Sequence, residues 1–239
     1  MKKFFVLLLV ASSCAPVYIP NVRNSPLFSK AGEFQGSVQF GNGLDLQGAV
    51  SVTNHIGVMA NYSYGERNKN NYNPDDELDY HYHKFFEGGL GYYENQGNWC
   101  YEIFAGYGKG EGSSYDEYAW WGGQSERATG KFQRYFIQPA FGLNKKIMHV
   151  SFIPRISIVD FDTFSTDVID YTIDENPIVF IEPAVAGKVN LMDNHFFFIF
   201  QAGVSIPATS TYFEYRPFQI STGIGFRLGG NNKTSDKEK

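Results

Sequence analysis

Near its C-terminus the chain alternates strictly between two kinds of residue. Phe218, Ile220, Thr222, Ile224, Phe226 and Leu228 are separated by Gln219, Ser221, Gly223, Gly225 and Arg227. Period-two alternation describes a strand with one oily face and one polar or small face. Ten such segments can be read, at 33–41, 44–53, 56–65, 83–93, 99–109, 132–143, 148–160, 178–190, 195–205 and 216–228. Each is near the roughly nine to eleven residues that a tilted transmembrane strand needs. The connections alternate too. Those at 53–55, 94–98, 144–146 and 191–194 are short and polar, whereas those at 66–82, 110–131, 161–177 and 206–215 are long, and only Gly41-Asn42-Gly43 is tight on that side. Short turns at one end and long loops at the other predict an all-β, antiparallel, up-and-down transmembrane β-barrel of about ten strands. Eight is the alternative, because the first two segments draw least support from the loop asymmetry. An even count puts both ends of the barrel on the short-turn, periplasmic side.

Alternation does not by itself say which face points outward, and a soluble lipocalin-like barrel would bury the apolar set. Three details favour an oily exterior. The non-apolar set is small rather than charged, as at Gly57, Ser63, Gly89, Gly106, Ser157 and Gly203, where a water-facing surface would carry Lys and Glu. Aromatics gather at strand ends, as Tyr62, Tyr64, Tyr92, Tyr93, Trp99, Tyr101 and Tyr107, like the girdles of membrane barrels. The few charges within strands are of both signs: Glu87, Glu102 and Glu182 share the polar face with Arg134, Arg155, Lys188 and Arg227. Inside a narrow barrel these must pair, because burying one alone costs several kcal/mol.

Pairing of these charges, helped by Gln138, Gln201 and Gln219, predicts an interior plugged by side chains, since open aqueous channels need about sixteen strands or more. The role expected is structural or surface-recognition, through the long loops. A small-solute channel or transport accessory is the alternative. Pro139, Pro154 and Pro183 fall inside strands, where each deletes a ladder hydrogen bond. The repeated runs Phe136-Ile137-Gln138-Pro139-Ala140 and Phe180-Ile181-Glu182-Pro183-Ala184 predict a bulge used twice.

Composition agrees. Aromatics make up 17% of the 239 residues and charged residues 19%, against about 25% charged in soluble proteins. A net charge of −5 excludes a basic nucleic-acid face. At the N-terminus, Lys2 and Lys3 precede the apolar run Phe4 to Val10 and then Ala11-Ser12-Ser13-Cys14, a secretory signal too short to span a bilayer. Ser12-Ser13-Cys14 looks like a lipobox, which implies lipidation of Cys14. The spacing of Ser221, Gly223, Phe226 and Leu228 resembles the insertion signal on the last strand of bacterial outer-membrane barrels. With the stretch from Gly48 to Tyr64, these segments resemble the small, lipoprotein-like outer-membrane β-barrel proteins common in Bacteroidota. The resemblance implies outer-membrane lipid and the barrel-assembly machinery as partners and carries no activity. The expected layout is a signal at 1–13, a periplasmic segment at 14–32, the barrel at 33–229 and a polar tail at 230–239. No acidic export tag follows Cys14, so its anchor is expected in the periplasmic leaflet.

Candidate chemistry is sparse. His81 and His83 share one face of a strand, but a closed zinc site needs four ligands. Asp160 to Pro177 holds six carboxylates and no basic residue, without the regular spacing of a calcium loop. Tyr115, Tyr118, Trp120 and Trp121 make the second long loop aromatic, as a lid on the mouth or a contact surface for an unidentified partner. No Gly-x-Ser-x-Gly elbow exists, and no histidine lies in an assembled catalytic set. No enzyme activity, cofactor or metal is expected.

Overall fold

The structure is a computed structural model, and it describes residues 16–68, 80–116, 126–167, 176–191 and 195–229. The strands are β1 (Phe34–Phe40), β2 (Leu44–Ser51), β3 (Ile56–Asn68), β4 (Tyr80–Gln96), β5 (Trp99–Asp116), β6 (Glu126–Asn144), β7 (Met148–Thr166), β8 (Ile178–Leu191), β9 (Phe196–Val204), β10 (Ile206–Pro207) and β11 (Phe218–Leu228). Each of β1 to β8 pairs antiparallel with the next, and β11 joins β9 to β1, so the sheet closes. The two-residue β10 is the upper end of the β9 stave. Ala184 opposite Gly203 and Ile181 opposite Ile206 keep one register across the break at Ser205. The barrel therefore has ten staves.

Alternation decides which way each stave faces. Leu90, Ile137, Ile156, Ile181, Phe198 and Ile224 lie exposed on the outside, while Glu87, Gln138, Arg155, Glu182 and Gln201 are buried within. The oily face is thus outward, the inverse of a soluble ligand-binding barrel. Tyr62, Tyr64, Tyr92, Trp99, Tyr101 and Tyr107 point outward near the two ends of this belt. Tyr93 does not: it is buried, donates to the Thr53 carbonyl at 2.8 Å and packs on Phe28. Its parity in β4 puts it on the inner face, a position that alternation alone assigns.

Three expectations need correction. Much of what reads as long loop is strand, because β4, β5, β6 and β7 run 17, 18, 19 and 19 residues. Their upper parts rise well past the girdle; Gly108 to Asp116 alone covers about 30 Å along its strand. Glycine, serine and threonine there dilute the hydrophobic pattern that marks a strand in membrane. The prolines cause no bulge. Pro154 faces Pro183 directly, and the pairs Ile137–Ile156 and Phe141–Phe152 carry one register past Pro139. All three rings lie on the outward face at one level, where a missing N–H interrupts the ladder without adding a residue. The register shift falls instead at Lys131/Phe132. Finally, the inner face is not uniformly polar: Phe85, Phe104, Phe132, Phe136, Phe161 and Phe180 are buried inside.

Those inner aromatics have something to pack against. Every residue from Pro16 to Phe28 is buried within the barrel, so this part of the expected periplasmic segment at 14–32 does not lie outside it. Tyr18 bridges to Tyr215 and Val17 donates to the Glu214 carbonyl at 2.9 Å, both at the long-loop end. The Phe28 carbonyl accepts from Asn95 at 2.9 Å and the Ala31 N–H donates to Asn54 at 3.0 Å, both at the short-turn end. The chain therefore runs down the whole lumen, emerges, turns through Lys30 to Gly32 and enters β1. Twelve extended steps cover about 40 Å, enough for the passage.

Candidate functional site: the occupied lumen

A buried extended chain must find partners for its own N–H and C=O groups, and here the wall's side chains supply them. Gln201 is paired both ways with Arg23, accepting from its N–H at 2.8 Å and donating to its carbonyl at 2.9 Å. Gln219 donates to the Pro20 carbonyl at 2.7 Å, Gln138 to the Asn24 carbonyl at 2.7 Å and Gln47 to the Val22 carbonyl at 2.9 Å. Asp45 and Glu102 accept from the N–H groups of Val22 and Leu27 at 3.3 and 2.9 Å. Pro20 and Pro26 present no N–H to satisfy, which lowers the number of partners required. The wall also makes room. A Cβ at Gly112 would collide with the Val17 carbonyl, and one at Gly142 with the Leu27 side chain.

The lumen is layered. At the long-loop end Val17 and Tyr18 join Phe85, Phe132, Phe161, Phe180 and Phe213 in an apolar cluster. At the short-turn end Phe28 joins Met59, Tyr93, Phe104 and Phe136. Between them lies the charged layer. Glu87 pairs with Arg134 and lies 3.7 Å from Arg155, which pairs with Glu182 at 2.8 Å. Asn21 stands among them, donating to Glu87 at 2.7 Å and accepting from Arg134 at 2.6 Å and Arg155 at 3.2 Å. Tyr18 donates to Glu182 at 3.2 Å and accepts from Arg134 at 3.0 Å.

All seven charges named from the sequence lie on the inner face, and they form two groups rather than one. Glu87, Arg134, Arg155 and Glu182 make the central network. Glu102, Lys188 and Arg227 sit toward the short turns, where Lys188 donates to the Ser25 carbonyl at 2.8 Å and to Gln35 at 2.9 Å, and Arg227 pairs with Glu33 at 3.1 Å. Sequence reasoning missed Tyr18, Asn21, Arg23 and Asn24, the residues that thread between these charges. A signal existed: 16–28 has three prolines, two aromatics and one charge, unlike a solvated linker.

Of the aromatic loop residues, Tyr115 is the penultimate residue of β5, with the Arg127 guanidinium 5.5 Å from its ring centroid; Tyr118, Trp120 and Trp121 lie outside the described residues, as do Cys14, the signal segment and residues 230–239. His81 and His83 face inward with 3.2 Å between their ring nitrogens. Among the described residues no three His, Cys, Asp or Glu side chains are grouped as metal ligands.

No family model matches the chain. No curated protein matches it significantly. Among solved structures, the translocator domain of autotransporter NalP from Neisseria meningitidis is similar to it at 10% identity and a TM-score of 0.44, covering 82% of this chain and 86% of that one.

Proposed function

We propose that the protein is an outer-membrane β-barrel closed to solutes by its own N-terminal segment, with a structural or recognition role on its long-loop face. One observation carries this reading: residues 16–28 are buried along the whole lumen and hydrogen-bonded to the wall from end to end. The outward apolar belt and its aromatic ends support the membrane setting, and the loop asymmetry supports placing the long-loop end outside the cell. Two apolar layers around a paired charged layer leave an ion no hydrated path. Recognition is then left to the raised strands β4 to β7 and the loops they carry.

The direction of the segment supports a different leaflet for the expected anchor. Pro16 lies at the long-loop end, and two residues extend a chain by about 7 Å at most. A lipid on Cys14 would therefore join the leaflet on the long-loop side, not the periplasmic one.

The test is conductance in a planar bilayer. The full-length mature chain is expected to give no steady current. A chain lacking 16–28, or carrying Asn21→Asp with Arg23→Asp to repel the segment from Glu87 and Glu182, is expected to open. Porin-sized conductance from the full-length protein would overturn closure and restore the channel reading.

A further inference from the structure

The segment fills the lumen but not the whole mouth. Between Pro16, the β1–β2 hairpin and the upper ends of β3 and β4 lies a cavity of about 390 Å³. Its lining includes Arg67, Arg216, His81 and Asn42. Arg67, itself exposed at the top of β3, has the inward parity of the buried Asn61, Ser63 and Gly65. Arg216 is set by the segment itself, its N–H donating to the Tyr18 carbonyl at 3.0 Å and its Nη1 to Asn42 Oδ1 at 3.2 Å. Among the described residues, neither arginine has a carboxylate partner. Burial, together with Arg67 nearby, holds Arg216 below the ordinary guanidinium range, as expected of two like charges left facing one space. Glu66, the one carboxylate among the described lining residues, is on the outward face of β3 and accepts from Tyr64 at 2.6 Å.

Two further groups beside the cavity are unsatisfied. Among the described residues, His81 Nδ1 and Asn42 Nδ2 are buried without a hydrogen-bond partner. His81 Nε2 is already engaged with His83 Nδ1, and His83 Nε2 lies 3.4 Å from the Ser63 hydroxyl. Ser63 also donates to Asp45, so of these two groups Asn42 Nδ2 is the free donor. Paired guanidinium forks with an added neutral donor suit an anion with several oxygens. The space is several times that of a bare phosphate, leaving room for an organic substituent.

We propose that this mouth cavity binds the phosphoryl group of a phosphorylated small molecule or glycolipid, held between Arg67 and Arg216 with Asn42 as a further donor. The shared chemistry is a phosphomonoester dianion. It reaches the site from solution, or from a headgroup leaning over the low β1–β2 side, whose strands are 7 and 8 residues long.

The experiment uses the folded, full-length mature protein in a phosphate-free glucoside detergent at low salt. Calorimetric titration with glycerol 3-phosphate tests the soluble source, and ³¹P NMR with lipid A in mixed micelles tests the headgroup source. Saturable binding in either arm is expected, weakened by at least about tenfold in Arg67→Gln and in Arg216→Gln, the loss of one charge-assisted pair. Heat-modifiable migration of each variant verifies that it is folded, and acetate at equal ionic strength should give no saturable signal. Binding in the first arm assigns a free ligand, and binding in the second alone assigns a lipid. Silence in both, or binding that neither substitution weakens, overturns the proposal. Bilayer conductance is separate from these readouts, so lumen closure and this site can fail independently.

Discussion

Single residues in this barrel are held by mutual satisfaction more than by affinity for a generic interior. Glu182 accepts from Arg155, Ser157, Ser205 and Tyr18, so four groups lose a partner if it is replaced. Breaking a buried pair by removing one member costs about 3–5 kcal/mol. Glu182→Leu is accordingly expected to lower the urea midpoint in detergent well beyond Glu182→Gln, which keeps an acceptor; equal midpoints for the two would refute the network. Gly112 offers a steric counterpart. Gly112→Val places methyl groups where the Val17 carbonyl lies, so the upper end of the segment should lift. A Tyr18→Cys probe, shielded in the parent, should then react with a water-soluble maleimide, and unchanged labelling would show that the wall yields instead.

At the scale of elements, the alternation of β1 to β11 was legible because one oily outward face and one lumen face leave a period of two. The belt follows from that reading. Ile137→Arg, between the outward Tyr101 and Tyr135 levels, is expected to destabilise the inserted barrel by about 2–4 kcal/mol in lipid unfolding titrations; a change under about 0.5 kcal/mol would move that face out of the membrane. Where both faces are oily the period fades, as in Phe196–Phe200, whose alternate members Phe197 and Ile199 are buried inside. Such runs announce two apolar surroundings, and only the lumen contents say what the second one is. The prolines misled for a similar reason. A proline seen in one strand suggests a local distortion, whereas three at one level in β6, β7 and β8 share the interruption across neighbours.

For the molecule as a whole, barrel closure, face and stave number were readable, and the lumen-filling segment was not. Its contacts join Pro16–Phe28 to residues as distant in sequence as Gln219, and no local period encodes such a pairing. The glutamines on the inner wall were visible, but their partners were taken to be charges instead of a backbone. A carbonate-washed outer-membrane fraction is expected to retain the protein, and unboiled samples to migrate apart from boiled ones. Release by carbonate with no such shift would remove the membrane assignment together with the sidedness of Pro16.

The route of the N-terminal segment also constrains the order of events by which the ring can close. The segment precedes β1 in the chain, yet it lies enclosed by every stave, including the last. Side chains as large as Tyr18, Arg23 and Phe28 cannot pass sideways through a completed hydrogen-bonded wall. Either the segment is already laid along the nascent sheet when the seven residues of β1 zip to β11, or it is threaded lengthwise from the short-turn mouth. In the first route the β1–β11 seam is a door that shuts once, and the occupant is retained by the history of assembly as much as by its bonds.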